Sequence, residues 1–141
     1  MALSAMITCD SSEIHLMDNV LLNYYFECTT SRYAKNYLNY IRLHLDIDVF
    51  ALLSNRNLTP EENKELLDNL RFWGNLRFSN SDNTFYRSVS LTNTFGDELF
   101  REIWLSHAHV EKLTETVNLD DSSHVIHLEL LQKGDKLRYG G

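Results

Sequence analysis

The feature that most limits the folds open to this chain is its shortage of residues that break helices and shape tight turns. Its 141 residues include one proline and five glycines. These two residue types end most helices and form the short turns of many-stranded sheets. Their scarcity favours long helices over many short strands. The expected fold class is therefore α+β: a mainly helical domain with one or two small antiparallel β-hairpins.

Length and composition indicate one globular domain spanning residues 1–141, since domains of this size are common and 43% of the residues are hydrophobic. No internal repeat or long linker divides the chain. The segment 136–141 is basic, ends in Gly140-Gly141, and is expected to be a flexible tail. Whether the two glycines have any role is left open.

The clearest local signal is the run Thr59-Pro60-Glu61-Glu62. It places threonine at an N-cap, proline at the first helical position and glutamate at the third, which is a capping box. A helix is predicted from Pro60 to about Phe72, ending near Gly74. Apolar residues at helical spacing predict two more helices, from Ser31 to about Leu45 and from about Glu98 to Thr116.

Three segments are expected to contribute strands. Residues 76–78 and 84–91 are predicted to form a hairpin around a polar loop, because apolar and polar residues alternate in the second arm. The segment 14–28 fits either a helix or two strands joined at Asp18-Asn19, and strands are favoured. The segment 124–133 is either a strand or a short helix, and a strand is again favoured.

The charge balance bears on the partner. Twenty carboxylates stand against thirteen lysines and arginines, for a net charge of −7. This balance makes nucleic acid an unfavourable ligand and suits a basic protein such as a toxin, a nuclease or another nucleic-acid-binding enzyme. The other interpretation is that the acidic charge only keeps the protein soluble. Cys9 and Cys28 are interpreted as buried thiols in a reducing cytosol, and no apolar run is long enough to span a membrane, so a cytoplasmic protein is expected.

Six residues are candidates for partner binding. Tyrosines cluster in the segment 24–40, and tyrosine supplies interface area at little entropic cost. A tyrosine-rich face beside carboxylates would suit a basic protein, although a core bordered by tyrosines is the alternative. The candidate residues are Tyr33, Tyr37, Tyr40, Glu27, Asp46 and Asp48. No metal or other cofactor is expected.

One motif supports an enzymatic alternative. The run Arg101-Glu-Ile-Trp-Leu-Ser-His107 resembles the short Arg-x4–6-His motif of HEPN-type ribonucleases. The resemblance implies a metal-independent ribonuclease in which Arg101 and His107 act on the scissile phosphate. The favoured hypothesis is a non-enzymatic acidic protein that inhibits or neutralises a macromolecular partner, in the manner of an immunity protein, an antitoxin or a phage-type inhibitor of a host enzyme.

Overall fold

Antiparallel strands dominate this computed structural model, which describes residues 2–9, 12–17, 19–29, 40–76, 85–95 and 98–133. Seven strands and two helices lie within those ranges. The strands are β1 (Ala2–Cys9), β2 (Ser12–Leu16), β3 (Leu21–Thr29), β4 (Tyr40–Asp48), β5 (Arg87–Phe95), β6 (Glu98–Asn118) and β7 (Ser123–Lys133). The helices are α1 (Val49–Leu53) and α2 (Pro60–Asn75). The expectation of a mainly helical domain was therefore wrong.

The strands form one continuous sheet in the order β2-β1-β5-β6-β7-β4-β3. β6 joins two layers of this sheet, because residues 98–108 pair with β5 and residues 109–118 pair with β7. The first layer is β2-β1-β5-β6 and the second is β6-β7-β4-β3. The sheet curls so that the layers share one core, and the Asn93 amide of β5 donates to the Tyr24 hydroxyl of β3 at 3.2 Å.

The long helix expected between Glu98 and Thr116 is strand β6, and β-bulges explain the misleading pattern. Register shifts interrupt β6 opposite Asn93/Thr94 and Arg87/Val89, and a third lies at Val110/Lys112. Each bulge adds a residue and changes which face the next side chain meets. The apolar residues of β6 that pack in the core lie at 103, 105, 108, 110 and 113, so spacings of two and three alternate. That spacing resembles the threes and fours of a helix.

The helix expected from Ser31 to Leu45 was also wrong over its described part, where Tyr40–Asp48 forms β4. Residues 31–39 lie outside the described residues. Ile41, Leu43, Leu45 and Ile47 are all buried and alternate with half-buried residues. This period of two is the pattern of a strand with one face on the core.

Other local predictions are confirmed. α2 begins at Pro60, with the Thr59 hydroxyl accepting from the Glu62 amide and the Glu62 carboxylate accepting from the Thr59 amide. β7 and the strand assignment of segment 14–28 are confirmed, but β2 and β3 do not pair across Asp18-Asn19: β2 pairs with β1, and β3 with β4. The second arm of the predicted hairpin lies in β5, whereas residues 77–84 are outside the described residues. Cys28, expected to be buried, is exposed on β3.

α2 covers the inner face of the second layer where β6 extends beyond β5. Leu70 and Trp73 of α2 are buried in the common core. The guanidinium of Arg87, itself buried at the start of β5, donates to Asn69 at 3.0 Å and lies 5.0 Å from the Trp73 ring centroid. Because α2 and the first layer cover the inner side, the opposite side of the second layer faces solvent.

Candidate protein-binding surface

The outer side of the second layer carries a set of polar and aromatic side chains in fixed register. On β4 these side chains occupy the positions between the buried isoleucines and leucines. Pairing sets Glu27 of β3 beside Arg42, and it sets Tyr25 of β3 and Glu129 of β7 on either side of His44. We call this surface the outer face. It comprises Tyr25, Glu27, Tyr40, Arg42, His44, Asp46, Glu111, Lys112, Thr114, His127 and Glu129.

Arg42 is the centre of an ion-pair network on this face. Its two terminal nitrogens lie 3.2 Å from Glu129 and 3.4 Å from Glu111, so it links β4 to β7 and β6. Its guanidinium also lies 5.6 Å from the ring centroid of Tyr40. An arginine shared between two carboxylates and an aromatic ring loses side-chain freedom before any partner arrives. The network therefore holds Tyr40 and both carboxylates in one arrangement.

His44 and Tyr25 form the aromatic part of the outer face. Their rings meet edge to face with centroids 5.5 Å apart, and His44 Nε2 lies 3.6 Å from Glu129. Tyr25 remains 55% exposed. A large aromatic side chain that is held by a neighbour and still half-exposed is the type of residue that anchors protein interfaces.

A hydroxyl, an imidazole and a carboxylate lie in line across three strands. His127 Nδ1 lies 2.7 Å from Asp46, and His127 Nε2 lies 3.2 Å from the Thr116 hydroxyl. Nucleophilic catalysis with such a triad also requires donors directed at the developing oxyanion. Here β4 and β7, which carry Asp46 and His127, pair with strands on both sides, so the ladders use their backbone N–H groups. We therefore assign these contacts to holding His127 and Asp46 in place.

A shallow cavity of about 220 Å³ lies over the same strands. Its walls include His44, Asp46, Lys112, His127 and Glu129. Both signs of charge line it. The outer face is thus neither flat nor purely acidic, and a partner must match a mixed pattern of charges.

The candidates named from the sequence separate into three groups. Tyr40, Glu27 and Asp46 lie together on the outer face. Asp48 instead caps α1, where its carboxylate accepts from the amides of Phe50 at 3.1 Å and Ala51 at 3.3 Å. Tyr33 and Tyr37 lie outside the described residues.

The six candidates named from the sequence do not include Tyr25, Arg42, His44, His127 or Glu129, although Tyr25 belongs to the tyrosine cluster at 24–40. The signal that could have identified the four residues on β4 and β7 is the strict alternation of apolar and polar residues at 41–48 and a shorter alternation at 126–130. Once both segments are assigned as strands, the residues between the buried positions fall on one side of a sheet.

The two residues of the ribonuclease alternative lie on a strand and not on the expected helix. Arg101 and His107 both lie on β6, six residues apart, which corresponds to roughly 20 Å of extended chain. Arg101 lies over the Phe26 ring with its guanidinium 5.8 Å from the centroid, whereas His107 Nδ1 lies 3.0 Å from the Ser106 hydroxyl. The strand does not bring the two side chains to one phosphate.

Two further findings concern the described ranges alone. Within them, no three histidine, cysteine, aspartate or glutamate side chains form a group that could hold a metal ion. No helix formed by these residues is long and apolar enough to cross a membrane.

No protein-family model and no curated protein matches this chain. Among solved structures, the chain is similar to one described as "Structure of Hcp1 from Flavobacterium johnsoniae", with 10% sequence identity and a TM-score of 0.47, over 97% of this chain and 99% of that one.

Proposed function

We propose that this chain is a non-enzymatic acidic binding protein of the cytoplasm that blocks a basic macromolecular partner, and that the partner docks on the outer face. The observation that carries the proposal is Tyr25, which is 55% exposed and held edge to face against His44 within a sheet crossed by ion pairs. A rigid aromatic side chain of this kind can be buried in a partner with little further loss of entropy.

Charge supports a basic partner. The outer face carries the carboxylates of Glu27, Asp46, Glu111 and Glu129 beside two permanently charged cations, Arg42 and Lys112. Both this excess and the net charge of −7 attract a basic protein from solution. Steering of that kind raises the association rate and weakens with salt.

The position of the face also supports the proposal. Two of the three strands that carry most of it, β4 and β7, are paired on both sides, and the half of β6 that contributes to it is paired with β7, so the side chains are fixed in register. A partner that covers them meets a preformed surface. Inhibition then requires only that the docked chain covers the active site or ligand-binding site of the partner.

The test begins with capture of a partner from cells on the immobilised protein and its identification by mass spectrometry. The purified partner is then titrated with wild type, Tyr25→Ala and Tyr40→Ala. We expect Tyr25→Ala to weaken binding about 30-fold, or about 2 kcal/mol, while the free energy of unfolding stays within about 1 kcal/mol of wild type. The partner's own activity should fall as the wild-type chain is added.

Phe72→Ala is the matched control, because Phe72 is 57% exposed on α2 and lies away from the outer face. It should bind like wild type. Equal losses for all three variants would count against the outer face as the docking surface. An association rate that does not change with salt would remove the electrostatic part of the proposal.

A further inference from the structure

An open groove of about 650 Å³ lies beside β3, away from the ion-pair network of the outer face. The consecutive residues Leu22–Phe26 form one wall. Leu3, Asn93 and Arg101 form the other, in one cross-strand row over β1, β5 and β6. Side chains alternate between the two faces of a strand, so a wall of five consecutive residues means that the backbone edge of β3 itself borders the groove.

No strand of the described ranges pairs with that edge. β3 is last in the strand order, so within the described residues β4 is its only ladder partner. Unpaired edges of this kind accept an additional extended chain through backbone hydrogen bonds. Leu22 and Tyr25 are 54% and 55% exposed along it, and they offer apolar contacts to such a chain.

A buried amide in the groove has an unmade hydrogen bond. Asn93 is 4% exposed, and its Nδ2 donates to the Tyr24 hydroxyl at 3.2 Å, but no described residue forms a hydrogen bond with its Oδ1. Turning the amide over would only exchange the unsatisfied atom. A buried polar atom left without a partner is costly, and a ligand that supplies one recovers that cost.

Arg101 gives the groove its charge. It is the one ionised side chain at neutral pH among the described residues that line the groove, and its guanidinium rests against the Phe26 ring. No carboxylate of the described ranges forms an ion pair with it. The groove is therefore locally positive on a chain whose net charge is −7.

We propose that the groove binds an extended peptide segment of another protein that carries a carboxylate. The peptide main chain would add to the β3 edge, one of its N–H groups would donate to Asn93 Oδ1, and its carboxylate would pair with Arg101. The proposal stands on the groove, which shares one residue, Tyr25, with the outer face. A second copy of this chain is the weaker occupant, because pairing of two β3 edges would present Leu22–Phe26, which contains no carboxylate, to Arg101.

The experiment selects phage-displayed random peptides on the immobilised full chain and then measures the affinity of synthetic versions by fluorescence anisotropy. We expect the enriched peptides to share an aspartate or glutamate within an alternating apolar pattern. The best peptide should lose affinity by about tenfold or more when its carboxylate is replaced by an amide, when alternate backbone nitrogens are methylated, and when the protein carries Arg101→Gln. Arg101 is exposed, so this substitution leaves the core unchanged.

Arg56→Gln is the matched control, since it removes an exposed arginine on the α1–α2 connection and should leave peptide affinity unchanged. Three results would overturn the proposal. The selection could enrich no peptide, or the enriched peptides could bind Arg101→Gln as tightly as wild type. Sedimentation could also show that the chain self-associates, that peptide competes with this self-association, and that Arg101→Gln does not prevent it. Tyr25 borders both surfaces, so Tyr40→Ala, which lies outside the groove, separates the two proposals: its failure to weaken the captured partner would leave these peptide measurements unaffected.

Discussion

Arg71 of α2 and Glu115 of β6 form a two-point ion pair, with Arg71 Nε donating to Oε1 at 2.7 Å and Nη2 donating to Oε2 at 2.9 Å. His124 Nε2 lies 2.6 Å from the same carboxylate. The pair ties the helix to the half of β6 that lies beyond β5. Two hydrogen bonds join one guanidinium to one carboxylate, and a bidentate pair of this kind is stronger than a single-point contact.

This pair predicts acid sensitivity. The hydrogen bond from Arg71, supported by the one to His124, lowers the pKa of Glu115 from 4.5 to about 2. The unfolded chain therefore binds the proton more readily, and the pair's contribution is complete above pH 4.5 and is lost as the pH falls towards 2. Because both side chains are partly exposed, we expect that contribution to be about 1 kcal/mol.

Urea unfolding of wild type and Glu115→Gln over that pH range checks the prediction. The variant should be less stable at neutral pH by about 1 kcal/mol and should show a shallower loss of stability in acid. Glu65→Gln, an exposed change on α2, is the control and should follow the wild-type curve. Parallel curves for wild type and Glu115→Gln would show that Arg71 does not stabilise the charged form.

The capping box predicts the effect of a single hydroxyl. Thr59→Ala removes the acceptor of the Glu62 amide and should lower the free energy of unfolding by about 1 kcal/mol. Thr59→Ser keeps the acceptor and should remain close to wild type. Chemical denaturation measures both variants, and equal losses in the two would assign the effect to packing of the threonine methyl group.

Replacing Gly74 with alanine is expected to destabilise the protein, although alanine has the higher helix propensity. A Cβ at this position would lie 2.9 Å from Leu113 Cβ and 3.1 Å from its Cγ, inside normal contact distance. Alanine favours helix over glycine, yet Gly74→Ala should destabilise the protein by about 1–3 kcal/mol through overpacking against β6.

A double-mutant cycle tests this explanation. Leu113→Ala opens the space that the new methyl group needs, so Gly74→Ala should cost less in that background than in wild type. Lys64→Ala, an exposed substitution on the same helix, should lie within about 0.5 kcal/mol of wild type. Additive effects of Gly74→Ala and Leu113→Ala would place the strain elsewhere.

The ribonuclease alternative makes a prediction of its own. Since β6 separates Arg101 and His107 by roughly 20 Å, we expect a fluorogenic RNA substrate to remain uncleaved by wild type, Arg101→Ala and His107→Ala alike. Cleavage by wild type that both substitutions abolish would replace the binding proposal with the ribonuclease. Circular dichroism of the three proteins shows whether each is folded.

The outer face was only partly predictable from sequence. Tyr40, Glu27 and Asp46 were named for their residue types, and they lie on one surface. Their neighbour Glu129 could not be placed, because it reaches His44 through a pairing that spans most of the chain. Asp48 was named as a partner-binding residue, but its carboxylate accepts hydrogen bonds from backbone amides within three residues of its own position.

The sequence by itself determined the features whose causes lie within a few residues. The Thr59–Glu62 capping box closes over one helical turn, and the alternation in β5 and β7 is visible in adjacent residues. Only the tertiary structure decided that Glu98–Asn118 is a strand, because its bulges conceal the period of two and its partners, β5 and β7, hold it extended. The few glycines and prolines did not impose helices, since strand length depends on backbone hydrogen bonds from distant segments, and a bulged strand can remain paired for 21 residues.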